Sequence, residues 1–488
     1  MKLINNLKLV AGILTTALIA TTANAVTVEV VDDVNGDVTW TADNEYILTK
    51  TILVLPGSTL TIQPGTIIRG ESRNESEYGE AGSLVITRDA KIFATGTALK
   101  PIIFTAKNNL TGANADLPYG LFGKYVRGQW GGLIVLGRAP NNLVENSTNR
   151  FIEGLPEAPY TEFGGTQPNH SSGYISYVSI SHGGDVLGAD NEINGLTLGS
   201  VGRGTTIQYV EIYSNLDDGC EIFGGTVNIR FMAIAFCGDD GLDTDYGWTG
   251  YVQYLFIILS DENAAGDHGS EQDSGKDGDD SVPFGIARIS NATVVGDGIG
   301  SGDNGTTALY YEDNCGNSWY NSIFTDFSGN AILMEDTSKV ADVRARWNDS
   351  GATELKLHNN VFGPFGAQSH FPLYAFFGFD ANGDRVVNAD NATLVATEIQ
   401  PKLTAYGNVY INDYLLMSTS RQRDGLLNPR PNVAAHPELA SNLYVWPEGS
   451  WFQQTGFKGA FDPQDSGTWL NGWSILYQMG HLTPVLEM

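Results

Sequence analysis

Cysteine is nearly absent. Cys220, Cys237 and Cys315 are the three in a chain of 488 residues. They have no zinc-type spacing, and an odd count leaves one thiol unpaired. Cys220 and Cys237 fall close enough in the chain to pair if the protein is exported. The alternative is three buried thiols acting as small apolar side chains. Basic charge is scarce too: 27 Lys and Arg face 56 Asp and Glu, for a formal net charge of −29. This excludes a phosphate-gripping surface, so no nucleic acid partner is expected, and it disfavours anionic lipid. The seven histidines show no zinc spacing. A nucleophile-elbow G-x-S-x-G and a P-loop are both missing. After the first 25 residues no apolar run is long enough for a membrane-spanning helix.

The first 25 residues read as a signal peptide. Lys2 and Lys8 form its basic end, Leu9 to Ala23 its apolar stretch, and Ala23-Asn24-Ala25 a small-x-small cleavage site. The mature chain would begin at Val26 and be two units more negative. No Cys follows to carry a lipid. The expected location is secreted or cell surface.

Residues 45–137 alternate apolar and polar at the strand period, without helical periodicity. Leu55-Pro56-Gly57 and Gln63-Pro64-Gly65 mark turns between short β-branched strands. Further on, Ser214–Gly225 (SNLDDGCEIFGG) returns as Phe236–Gly247 (FCGDDGLDTDYG). Asp217 maps onto Asp239, Asp218 onto Asp240, and Glu221 onto Asp243. A repeat of this length is about one coil of a parallel β-solenoid. Its strands stack ~4.8 Å apart, which places seven carboxylates together: Asp217, Asp218, Glu221, Asp239, Asp240, Asp243 and Asp245. Two carboxylates ~5 Å apart repel by roughly 3 kcal/mol at an effective dielectric of about 20. Three outcomes are open: a hard cation, with calcium favoured by oxygen ligands; a solvated acidic turn; or a catalytic acid cluster.

Pro56–Thr66, Gly96–Thr105 and Gln129-Trp130-Gly131-Gly132-Leu133 resemble the opening coils of secreted bacterial right-handed parallel β-helix surface proteins. Glu192–Gly199, Val201–Thr205, the DDG turns, Gly459-Ala460-Phe461 and Trp469–Trp473 extend that resemblance over most of the mature chain. More distantly, the DDG turns resemble those of pectate lyases and polygalacturonases. That likeness implies carboxylate chemistry, with calcium and a Lys or Arg base in the lyases. Arg230 is the basic residue nearest to the turns in sequence.

Tyr177-Val178-Ser179-Ile180 and Tyr209-Val210-Glu211-Ile212 read as one coil with an insertion. Asn291, Asn321, Asn360 and Asn408 each precede a short strand and predict an asparagine stack at an inner turn. Residues 261–280 form an acidic, Gly-rich insertion that either folds over the DDG coils or stays a loop. Residues 380–391 resemble an EF-hand or dockerin calcium loop, with Asp380, Asn382, Asp384 and Asn388 at ligand spacing. Arg385 replaces the turn glycine and Asn391 the closing acid, so a weak calcium site and an ordinary polar loop both stand. His182 is either a structural turn residue or a general base. The tryptophans after residue 400 either cap the last coil or stack on sugar.

The fold expected is all-β: one right-handed parallel β-helix over residues 26–400, with 401–488 forming the last coils and a cap. The function expected is a calcium-stabilised extracellular or cell-surface protein in adhesion, surface coat or glycan binding. Its partner would be an extracellular glycan or a cell-surface component. The alternative is a secreted polysaccharide lyase or glycoside hydrolase using Asp217, Asp218, Asp239 and Asp240.

Overall fold

The computed structural model describes residues 26–483, apart from 108–116, 145–146, 148–149, 153–154, 156, 186–192, 263–264, 276–279, 302–304, 338–340, 367–372 and 419–426. The predicted signal peptide lies outside the described residues. The chain winds as a right-handed parallel β-helix whose coils have three faces. One 17-stranded sheet supplies two of the faces and an 11-stranded sheet the third. In the central coils a single strand spans the first two faces, as in Thr206–Tyr213 and Asn228–Ala235. A short strand forms the third, as in Cys220–Phe223 and Leu242–Asp245.

Alternation along each strand puts every second side chain inside, where parallel register stacks like on like. One inner ladder runs Trp40, Ile62, Ala94, Ile175, Ile207, Ile229, Val252, Ile289, Trp319, Leu357. All ten are buried. Burying each large aliphatic side chain contributes roughly 1.5–3 kcal/mol, so the ladder holds the axis straight without any helix.

The bend between the first two faces is a single residue in left-handed backbone. Tyr177, Tyr209, Phe231 and Tyr254 hold φ of 51°, 52°, 55° and 64° there. That conformation is costly for aromatic residues. Ring stacking offsets part of the cost: successive centroids lie 4.5, 4.4 and 4.7 Å apart. Asn291, Asn321 and Asn359 continue the column with φ of 56°, 51° and 57°. The predicted asparagine stack is therefore divided by a one-residue slip. Asn360 and Asn408 sit one position later, and their Oδ1 atoms accept from the backbone N–H of Ser322 and Asn360 in the preceding coils.

Val409–Tyr410 extends the last coil, pairing in parallel with Val361–Phe362. Residues 442–483 run back along the flank of the helix. Asn321 donates to the Tyr444 carbonyl (3.0 Å), Gln253 and Gln453 exchange two bonds, and Glu211 accepts from Ile475 and Leu476. Leu470, Trp473, Ile475 and Leu476 pack on the outward side chains of the second face, Ala233, Ala235, Phe256, Ile258 and Val295. This strap exists because that face is apolar outside as well as inside. The tryptophans serve packing: Trp446 and Trp473 are buried.

Candidate metal centre

Each DDG turn joins the second face to the third. Its glycine is required by close approach: a Cβ on Gly219 would meet Ile234 Cγ2 at 2.2 Å, and one on Gly241 would meet Ile257 Cγ2 and the Gly269 carbonyl at 2.6 Å. The aspartate before it is fixed by the neighbouring coil. Asp218 Oδ1 accepts from the Asp240 N–H (3.0 Å), and Asp240 Oδ1 from the His268 N–H (2.6 Å). Beyond the glycine the third-face strands alternate, so Glu221 pairs outward with Asp243 and Asp243 with Glu271.

Part of the acid-rich stretch 261–280 therefore belongs to the coil itself. His268–Gln272 is a regular strand of the third face, in register with Asp240–Thr244. It continues the ladder because it keeps the same outward alternation. Within each of three groups the ligand atoms lie within 4.8 Å of one another: Asp217, Asp218 and Asp239; Asp218, Glu221 and Asp243, which shares Asp218 with the first; and Asp240, His268 and Glu271.

Burial, with mutual repulsion added, raises the pKa of Asp218, Asp240, Asp243 and Asp273 well above the ordinary carboxylate range. Glu221 is raised to about 8, first by burial and then by the charges of Asp245 and Asp217. Glu312 reaches about 8 by burial and by Glu271. Burial lowers His268, so the imidazole inside this cluster is disposed to stay neutral and offer a lone pair. A ladder of this kind needs protons or cations to balance it. Two side-chain oxygens at its edge have no hydrogen-bond partner: Thr197 Oγ1, on the residue paired with Glu221, and Asn194 Oδ1.

Of the seven carboxylates expected together, Asp245 belongs to none of these groups, although its charge acts on Glu221. Its Oδ1 accepts from the Tyr246 N–H (2.6 Å), in a row with Phe223. Asp380, Asn382 and Asp384 belong to an exposed hairpin between strands Tyr374–Phe379 and Arg385–Val387. Asp380 Oδ1 accepts from the N–H groups of Asn382 (2.7 Å) and Asp384 (3.0 Å), which lowers its pKa. The loop thus satisfies its leading carboxylate internally, as Asp-initiated turns do. Val387, in the following strand, is exposed.

His182 is fully buried and bonded through Nδ1 to the Val126 carbonyl (2.7 Å), and burial holds it near pKa about 4. It serves its corner. Arg230 stacks on Trp451 under the strap (4.1 Å). Among the described residues, a basic side chain brought to the acid face is Arg385. Its Nη1 lies 3.4 Å from His268 Nε2, and its guanidinium lies 4.9 Å from the Tyr310 ring centroid. The three cysteines are free and buried.

Residues 32–370 match the pectate-lyase-like β-helix domain family. The chain belongs to this family. Arg385 and the strap lie beyond the matched region. No curated protein and no solved structure matches the chain. Among the described residues of this pectate-lyase-like β-helix protein, no helix is long and apolar enough to cross a membrane.

Proposed function

We propose that this protein is exported and uses the third face of its β-helix as a calcium-holding surface that docks an extracellular anionic glycan or cell-surface component. The observation carrying this reading is the overlap of carboxylate groups from consecutive coils, at separations a single ion can span. Asp218, Glu221 and Asp243 offer hard oxygens. Calcium takes six to eight such ligands at about 2.3–2.6 Å, so positions remain for water or for a glycan carboxylate. The ion would bind the acidic face and an acidic partner at once, which reconciles a strongly negative chain with a negative ligand.

The test is calorimetry with calcium on residues 26–488, beside the Asp218→Asn/Asp243→Asn double variant. Binding in the parent that is lost in the variant supports the reading. Equal binding in both, or none in the parent, sinks it.

One observation favours a second reading, polysaccharide lyase action. Arg385 stands beside the carboxylates, where family resemblance expects a basic residue. Release of unsaturated uronate products by the parent, abolished in Arg385→Gln, would move the protein from binding to catalysis. Absence of such products with pectate and other uronate polymers would leave the binding role.

A further inference from the structure

We propose that Asp240, His268 and Glu271 form a second cation site, one that takes a divalent transition metal in preference to calcium. The proposal extends the cation-face reading to a different class of ion. Its test reads imidazole ligation, which calcium on oxygen ligands cannot imitate.

The chemistry of the donors separates the two sites. Asp218, Glu221 and Asp243 provide oxygen alone. The second group adds a ring nitrogen, which suits zinc, manganese, cobalt or nickel over calcium. His268 Nδ1 lies 3.0 and 3.2 Å from the two Asp240 oxygens and 3.9 Å from Glu271 Oε2. Zinc–ligand bonds of about 2.0–2.2 Å place neighbouring donors roughly 3–3.5 Å apart. The three groups therefore already approximate one coordination sphere, with Asp240 and His268 almost wholly buried.

The surroundings of the ring are an independent indication. A ligating imidazole usually presents its other nitrogen to an outer carboxylate, which sets the tautomer and orientation. Here Nδ1 faces the two candidate ligands, while Nε2 has Arg385 Nη1 at 3.4 Å and Asp267 Oδ1 at 3.6 Å, so that ligation through Nδ1 leaves the Nε2–H to Asp267 and turns the Arg385 guanidinium aside. The ring is held flat against Tyr310, with centroids 4.4 Å apart and planes at 19°. Tyr310 in turn stacks on Phe377 at 5.2 Å. The backbone N–H of His268 fixes Asp240 through Oδ1. A plain His–Asp pair would account for Asp240. Glu271 Oε2, 3.9 Å from the same nitrogen, supplies the third donor of the group.

The experiment uses the untagged chain 26–488, stripped with EDTA and held in excess calcium. It is titrated with cobalt(II) chloride and followed by calorimetry and visible absorption. A single equivalent of cobalt should bind despite the calcium and give d–d bands of a mixed nitrogen–oxygen site. His268→Gln should weaken it roughly tenfold or more while leaving calcium binding unchanged. Glu271→Gln, which keeps the ring and its stacking, should weaken cobalt as well and serves if His268→Gln does not fold. Cobalt affinity within twofold of the parent in the variant that folds would overturn the proposal, as would complete displacement of cobalt by calcium. Cobalt binding without any calcium binding would keep this site and sink the calcium reading alone.

Discussion

The second and third faces are built by the same coils, yet they end in opposite states. On the second face the outward positions are Ala233, Ala235, Phe256, Ile258 and Val295, and the chain's own strap covers them. On the third face the outward positions of the same coils are Glu221, Asp243 and Glu271, whereas those of earlier coils, Val85 and Ile134, are apolar and buried. The difference teaches that in this solenoid the inner register makes the fold, while the outer register chooses the partner. One partner is in the chain, and the other has to be supplied as charge.

The largest effect should come from breaking the covered face. Trp473 is fully buried between the strap and the stacked corner, in edge contact with Tyr177. Trp473→Ala should cost about 3–5 kcal/mol, read as a lower urea midpoint. A loss below about 1 kcal/mol would mean that the strap is not part of the cooperative unit.

The open face should respond to metal with a change of sign. At a thousandfold excess over its dissociation constant, calcium would stabilise the fold by about 4 kcal/mol, and EDTA should remove that increment. In EDTA, Asp243→Asn should raise the melting temperature, because it relieves repulsion with Glu221 and Asp218. In calcium it should lower it, because a ligand is lost. The same sign in both conditions would show that Asp243 is not balanced by an ion.

The covered face has a charge of its own, which sharpens the comparison. Glu211 lies under the strap and accepts from Ile475, Leu476 and Ser179. Burial raises its pKa from 4.5 to about 7 despite those donors. The folded state therefore binds the proton more tightly than the unfolded one. Glu211 contributes stability below about pH 4.5 that is lost as pH rises to about 7, on the scale of roughly 3 kcal/mol. Because the acid ladder titrates too, the measurement is the difference between the parent and Glu211→Gln in saturating calcium. The parent should lose stability over that window relative to the variant. Parallel pH curves would place Glu211 ionised throughout.

Most of the fold was legible because a solenoid repeats itself. The 22-residue offset between the DDG turns is the register observed, with Cys220 opposite Leu242 and Glu221 opposite Asp243. The strap was not legible as a flank cover, since its own sequence carries no repeat. The signal lay on the other side: the nearly continuous apolar runs Phe231–Cys237 and Leu255–Leu259 mark strands buried on both faces. The site was half legible. His268 and Glu271 follow Asp240 and Asp243 at an offset of 28, so they escape a 22-residue alignment and read as an acidic loop. Arg385 lies 117 residues from His268 and arrives only because a hairpin folds back on the last coils.

That hairpin provides the smallest expected effect and a control for the open face. Asp380 is exposed, and its carboxylate is engaged by two loop amides. Asp380→Ala should lower the melting temperature only slightly, through the loss of local hydrogen bonds, and should leave the calcium isotherm unchanged. The carboxylates that cross between coils cannot be satisfied within one turn, whereas Asp380 is satisfied within its own. A calcium stoichiometry reduced by one in Asp380→Ala would reverse that distinction and return residues 380–391 to the metal-binding surface.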